Sequence, residues 1–124
     1  MKPGRPKGVA RLFAATGYSI RGLLACWKTE AAFRQEIALC AVLVPLSFFV
    51  ARTAEQWLLL TAPLLLLLIV ELLNSAVETT VDRIGPEHNA LSGRAKDIGS
   101  AAVFLCLLLI GLTWLTILWR NFFS

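Results

Sequence analysis

Polar and apolar positions along this chain fall into long blocks rather than short alternations. Residues 37 to 51 (IALCAVLVPLSFFVA) carry no charge, but a membrane span needs about 20 residues at about 1.5 Å each. Extending that helix back through Glu30 to Glu36 supplies the missing length and leaves the charges at one membrane edge. Pro45 is placed to kink it. The polar turn Arg52-Thr53-Ala54-Glu55-Gln56 has capping-box spacing between Thr53 and Gln56, which predicts a second helix start. Its apolar body, Trp57 to Val70, contains Pro63 and then meets Glu71, Asn74, Glu78 and Asp82 before Gly85-Pro86 ends it. Ser92 is the predicted N-cap of the third span. From Ile98 to Trp119 the chain runs 22 residues without a charge. Before all three, Val9, Leu12, Phe13, Ile20, Leu23, Leu24 and Trp27 fall on one arc at 100° per residue. Lys7, Arg11, Tyr18, Arg21 and Lys28 fall on the other, the pattern of a helix lying in a membrane interface.

The expected fold is therefore an all-α membrane protein, a single domain over residues 1–124. It has a surface helix at about 7–28 and transmembrane helices at about 30–51, 55–84 and 93–121. Composition agrees: 57% of the 124 residues are hydrophobic and 16% charged, with a mean hydropathy of +0.70. A soluble domain of this size has no means of covering so much apolar surface. A secretory signal peptide does not fit, because the basic stretch is too long and two more apolar segments follow.

The net charge is +4, and six of the twelve basic residues (Lys2, Arg5, Lys7, Arg11, Arg21, Lys28) lie in the first 28 positions. Beside apolar helices this predicts contact with anionic headgroups; no nucleic-acid-binding module accompanies it. The Lys/Arg bias of the amino terminus and of the 83–97 loop (Arg83, Arg94, Lys96) places both on the cytoplasmic side. Trp57, Trp114 and Trp119 would then mark the outer interface and Trp27 the inner one. Cys26, Cys40 and Cys106 sit in apolar surroundings without metal-ligand spacing and read as buried thiols.

Glu71, Asn74, Glu78 and Asp82 are spaced 3, 4 and 4 residues apart, at roughly 0°, 300°, 340° and 20° on a helix, so they form one stripe. A charge inside a span costs at least ~2.5 kcal/mol on insertion scales, which demands a protein-facing role. Glu30 and Arg34 are an i,i+4 pair at the same depth on the first span, and Arg94, Lys96, Asp97 and Ser100 stand at the matching end of the third. Carboxylates that hold Mg²⁺, cations that neutralise phosphate charge and a further carboxylate that orients a hydroxyl are what phosphoryl transfer uses. The same residues in mutual pairs would also simply hold three helices together, and spacing alone leaves both readings open. No Walker-type loop or GxGxxG is present.

At these residues the chain resembles the prokaryotic diacylglycerol kinase family. The resemblance rests on Glu71-Leu72-Leu73-Asn74-Ser75-Ala76-Val77-Glu78 with Val81-Asp82-Arg83, on Glu30-Ala31-Ala32-Phe33-Arg34-Gln35-Glu36, and on Leu91-Ser92-Gly93-Arg94-Ala95-Lys96-Asp97. It extends from about Arg11 into the last helix. It implies a homotrimeric, multi-pass kinase of the bacterial inner membrane with active sites shared between subunits, moving the ATP γ-phosphate to the hydroxyl of diacylglycerol. It further implies Glu71 as general base and Glu30 and Glu78 as ligands of Mg²⁺. Arg11, Tyr18, Glu87, His88, Asn89, Lys96 and Asp97 would join those two glutamates at the nucleotide. Arg11, Ser19, Ala32, Phe33, Gln35, Glu71 and Ser100 would lie at the lipid, supported by Asn74, Asp82 and Arg94. The nearest alternative is the undecaprenol kinase branch of the family, from which the Phe33-Arg34-Gln35-Glu36 run departs. A proton- or ion-translocating subunit is the alternative of another class, and it calls for a carboxylate near mid-bilayer.

Overall fold

The computed structural model describes residues 7–85 and 89–124. Four helices follow one another: α1 (Val9–Thr29), α2 (Ala31–Val50), α3 (Ala54–Ile84) and α4 (Ala90–Phe122). The last three are long and apolar enough to cross a membrane, so the chain is an all-α membrane protein. α3 packs along α4 and, less extensively, against α2.

Local chemistry sets the helix ends. Thr53 caps α3, its hydroxyl accepting from the Gln56 N–H at 3.1 Å. The Gln56 side chain reaches back to the N–H of Arg52 at 2.9 Å rather than to that of Thr53 itself, a capping box shifted by one residue. α3 stops at Ile84, and Gly85 is extended, as the residue before a proline is driven to be. α4 starts three residues earlier than Ser92 would place it. Asn89 is the cap, its Oδ1 accepting from the N–H groups of Leu91 and Ser92, because an asparagine serves two exposed donors from one carbonyl.

The core lies toward the α2–α3 turn. Val50, Leu60, Leu64, Leu67, Cys106, Ile110, Trp114 and Ile117 are buried together there. The leucine run at 64–68 divides by helical phase: Leu64 and Leu67 are buried, Leu65 and Leu66 exposed. Trp114 is a core residue and not an interfacial anchor, with its indole N–H donating to the Leu60 carbonyl at 3.0 Å. A buried indole needs such an acceptor, and α3 offers one a turn away from Pro63. At the same end Asn121 donates to the Val50 carbonyl and to Gln56, both at 2.8 Å, closing α4 over the turn. Every residue of the apolar arc of α1 is exposed, from Val9 at 69% to Trp27 at 46%. Cys26 is the one buried residue of that helix.

Candidate functional site

At the opposite end of the bundle the carboxylates converge. Glu71 is 3% exposed and Asn74 8%, so the stripe of α3 faces its neighbours rather than lipid. Glu30, Glu71, Asn74 and Glu78 line one cavity of about 620 Å³ together with Ala32, Gln35 and Glu36 of α2 and Ser100 of α4. Another part of its wall is apolar, made by Leu39, Val103, Phe104 and Leu107. The cavity is thus amphiphilic, with carboxylates on one part of its lining and hydrocarbon on another. Among the described residues, no basic side chain lines it.

The polar contacts inside are specific. Asn74 Nδ2 donates to Glu78 Oε1 at 3.4 Å. The Ser75 hydroxyl donates to Glu71 Oε2 at 3.4 Å, and the Cys26 thiol donates to Ser75 at 3.5 Å. α4 can approach because residue 99 is glycine: a Cβ there would overlap Asn74 Oδ1. Glu36 is buried, and its carboxyl lies against that of Glu71.

Glu30 occupies the extended residue between α1 and α2. Its carboxyl is pushed above the usual glutamate value by burial first, then by the charges of Glu78, Glu71 and Asp82, with Arg34 acting in the opposite direction. Arg34 does not form the ion pair with Glu30 that the i,i+4 spacing predicts. It donates instead to the Trp27 carbonyl at 2.6 Å, one of the carbonyls that the end of α1 leaves without an intrahelical partner. Glu30 therefore stays free to face the other carboxylates.

The donor set suits a hard cation. Carboxylates gathered in a poorly solvated place repel unless positive charge enters, and two oxygens, Glu36 Oε1 and Asn74 Oδ1, are buried without a partner. Among the described residues, no three acidic, histidine or cysteine side chains are close enough to hold a metal by themselves. A cation here would take further oxygens from water and a phosphate, the habit of Mg²⁺.

The remaining predicted residues stand apart from the cavity lining. Arg11, Tyr18 and Ser19 are exposed on α1, Tyr18 carrying the Arg21 guanidinium 4.8 Å above its ring and Ser19 bonded to the Ala15 carbonyl. Phe33 is buried, 3% exposed. Lys96 pairs with Asp82 at 2.9 Å across α3 and α4, Arg94 and Asp97 are exposed, and Asn89 is engaged as a cap. Glu87 and His88 lie outside the described residues. The carboxylates that line the cavity are therefore Glu30, Glu36, Glu71 and Glu78, with Asp97 outside the group. Glu36 and Ser75 entered the sequence reading only as members of the quoted motifs, and Cys26 and Gly99 were given no site role. A carboxylate one and a half turns past Glu30 in an apolar helix was the legible signal for Glu36; the other three carry none without the packing.

The chain is similar to known proteins over most of its length. The model of the prokaryotic diacylglycerol kinase family matches residues 17–118. The chain is 50% identical to a diacylglycerol kinase of Haemophilus influenzae over 107 residues, covering 86% of this chain and 91% of that one. It is 51% identical to one of Pseudomonas aeruginosa over 111 residues, 90% of each, and 40% identical to one of Helicobacter pylori over 120 residues, 97% of this chain and 90% of that one. The matched segment contains Glu30, Glu71, Asn74, Glu78 and Ser100, and the chain belongs to the prokaryotic diacylglycerol kinase family.

Proposed function

We propose that this protein transfers the γ-phosphate of ATP to the free hydroxyl of 1,2-diacylglycerol, giving phosphatidic acid at the cytoplasmic face of a bacterial inner membrane. The observation that carries this reading is the amphiphilic cavity: Glu30, Glu71 and Glu78 on one part of its lining, Leu39, Phe104 and Leu107 on another. A lipid alcohol entering from the bilayer would leave its acyl chains along the apolar wall and bring its hydroxyl to the carboxylates. The relatives' name, diacylglycerol kinase, supports the choice of lipid.

In this mechanism Glu71 accepts the hydroxyl proton as the lipid oxygen bonds to the γ-phosphorus and the bond to the β–γ bridging oxygen breaks, releasing ADP. Glu30 and Glu78 hold Mg²⁺, which when bound neutralises charge on the phosphates. Asn74 fixes Glu78 through its amide. Lys96 would turn from Asp82 to phosphate, both side chains being exposed enough to move. Arg11, Tyr18, Asn89 and Asp97, with Glu87 and His88, complete the nucleotide side. Arg11, Ser19, Ala32, Phe33, Gln35 and Ser100 form the lipid side, with Arg94 and Asp82 in support. Arg11, Tyr18 and Asp97 do not line the cavity of a single chain, which favours a homotrimer whose sites are completed by a neighbouring subunit. The exposed apolar arc of α1 supports its lying on the membrane surface, with the amino terminus cytoplasmic.

The test is transfer of γ-labelled phosphate by purified protein in mixed micelles, with diacylglycerol and undecaprenol offered separately. Label in phosphatidic acid is the expected result. Label in undecaprenyl phosphate alone moves the protein to the other branch of the family, and label in neither lipid overturns the kinase reading.

A further inference from the structure

Cys26 and Ser75, which the kinase mechanism above does not use, form a buried chain with Glu71. Their exposures are 6%, 7% and 3%, and the links are 3.5 Å from sulfur to Ser75 Oγ and 3.4 Å from Ser75 Oγ to Glu71 Oε2. Cys26 is the only buried residue of α1, so the surface helix docks through this thiol.

Ser75 also behaves unlike the helical hydroxyls that bond a backbone carbonyl. A serine or threonine inside a helix commonly returns its proton to the carbonyl four residues back. Thr16, Ser19, Thr29, Thr61 and Thr80 all do so. Ser75 donates to a side-chain carboxylate instead. A hydroxyl has one proton to give and two lone pairs to accept with. The Cys26 S–H occupies a lone pair, and the serine proton is left for Glu71. Burial pushes the Cys26 thiol up, with the charges of Glu30, Glu71 and Glu36 adding to it and the Ser75 hydrogen bond opposing. The sulfur therefore keeps the proton that it donates.

We propose that Ser75 is a positioning residue that holds Oε2 of Glu71 and so fixes the orientation of this carboxylate, and that Cys26 sets the direction of the Ser75 hydroxyl. The docking of α1 thereby orients the base. This deepens the kinase reading and rests on it.

The experiment compares wild type, Ser75→Ala, Cys26→Ala, Cys26→Ser and the Ser75→Ala/Cys26→Ala double variant in the mixed-micelle assay, with kcat and both KM values measured. Loss of one buried hydrogen bond at the base lowers kcat about tenfold in Ser75→Ala, with KM for ATP and for lipid unchanged. Cys26→Ala lowers kcat less, Cys26→Ser restores it by supplying another donor, and the double variant is no slower than Ser75→Ala alone. Wild-type kcat in Ser75→Ala, or additive losses in the double variant, overturns the proposal while the kinase reading stands. Wild-type protein without turnover overturns both. Should Ser75→Ala not fold, equal kcat in Cys26→Ala and Cys26→Ser overturns it.

Discussion

Glu71 and Glu78 sit seven residues apart on one helix face, yet the structure gives them different surroundings. Glu71 is enclosed between Ser75 and Glu36, whereas Glu78 is only partly buried and is held by the Asn74 amide. The enclosed carboxylate is suited to a proton, the accessible one to a cation with bound phosphate. Substitution should separate them. Glu71→Gln keeps the shape and removes the base, so turnover falls by about 10²-fold or more while nucleotide binding, followed by calorimetry, is retained. Normal turnover would remove Glu71 from the chemistry. Glu78→Gln should raise the Mg²⁺ concentration needed for half-maximal activity about tenfold, and an unchanged metal requirement would exclude it as a ligand. The stripe itself was legible in the sequence, since residues 3 and 4 apart share a helix face. The separate surroundings were not, because Glu36 and Cys26 come from other helices.

At the scale of elements, the contact between α3 and α4 near the site depends on Gly99. A methyl group there would overlap the short, buried Asn74 side chain, whose amide supports Glu78. Gly99→Ala should therefore lower stability by ~1–3 kcal/mol through overpacking and weaken Mg²⁺-dependent activity with it. Gly111 on the same helix has no atom within 4 Å of its would-be Cβ, so Gly111→Ala serves as the control and should be neutral in the same unfolding and activity measurements. Equal effects of the two would show that the close approach at Asn74 has no consequence. Helix positions and the Thr53 cap were readable locally, from hydropathy and turn chemistry. The start of α4 was not read correctly. Asn89 and Ser92 both qualify as caps by residue type, and the choice turned on which side chain met the free N–H groups.

In the whole molecule a dry hydrophobic core at one end leaves an open, carboxylate-lined cavity at the other. Trp114 joins α4 to α3 in that core through the Leu60 carbonyl. Trp114→Phe should keep most of the packing but lose that bond, lowering the unfolding free energy in detergent by ~1 kcal/mol. An unchanged unfolding transition would show the bond contributes nothing. The rigid end matters because the carboxylates at the other depend on α2, α3 and α4 keeping their spacing. By itself the sequence determined three membrane-spanning segments and the face on which α3 carries its acids, because length, hydropathy and helical period are local properties of the chain. Tertiary structure alone decided that Glu30 is left unpaired by Arg34, that Trp114 lies inside the core, and that Glu36, Ser75 and Cys26 surround Glu71. Those outcomes depend on partners offered outside a residue's own helix: the Trp27 carbonyl at the end of α1 for Arg34, the Leu60 carbonyl for Trp114, and Glu36 and Cys26 around Glu71 and Ser75. No spacing along one helix specifies them.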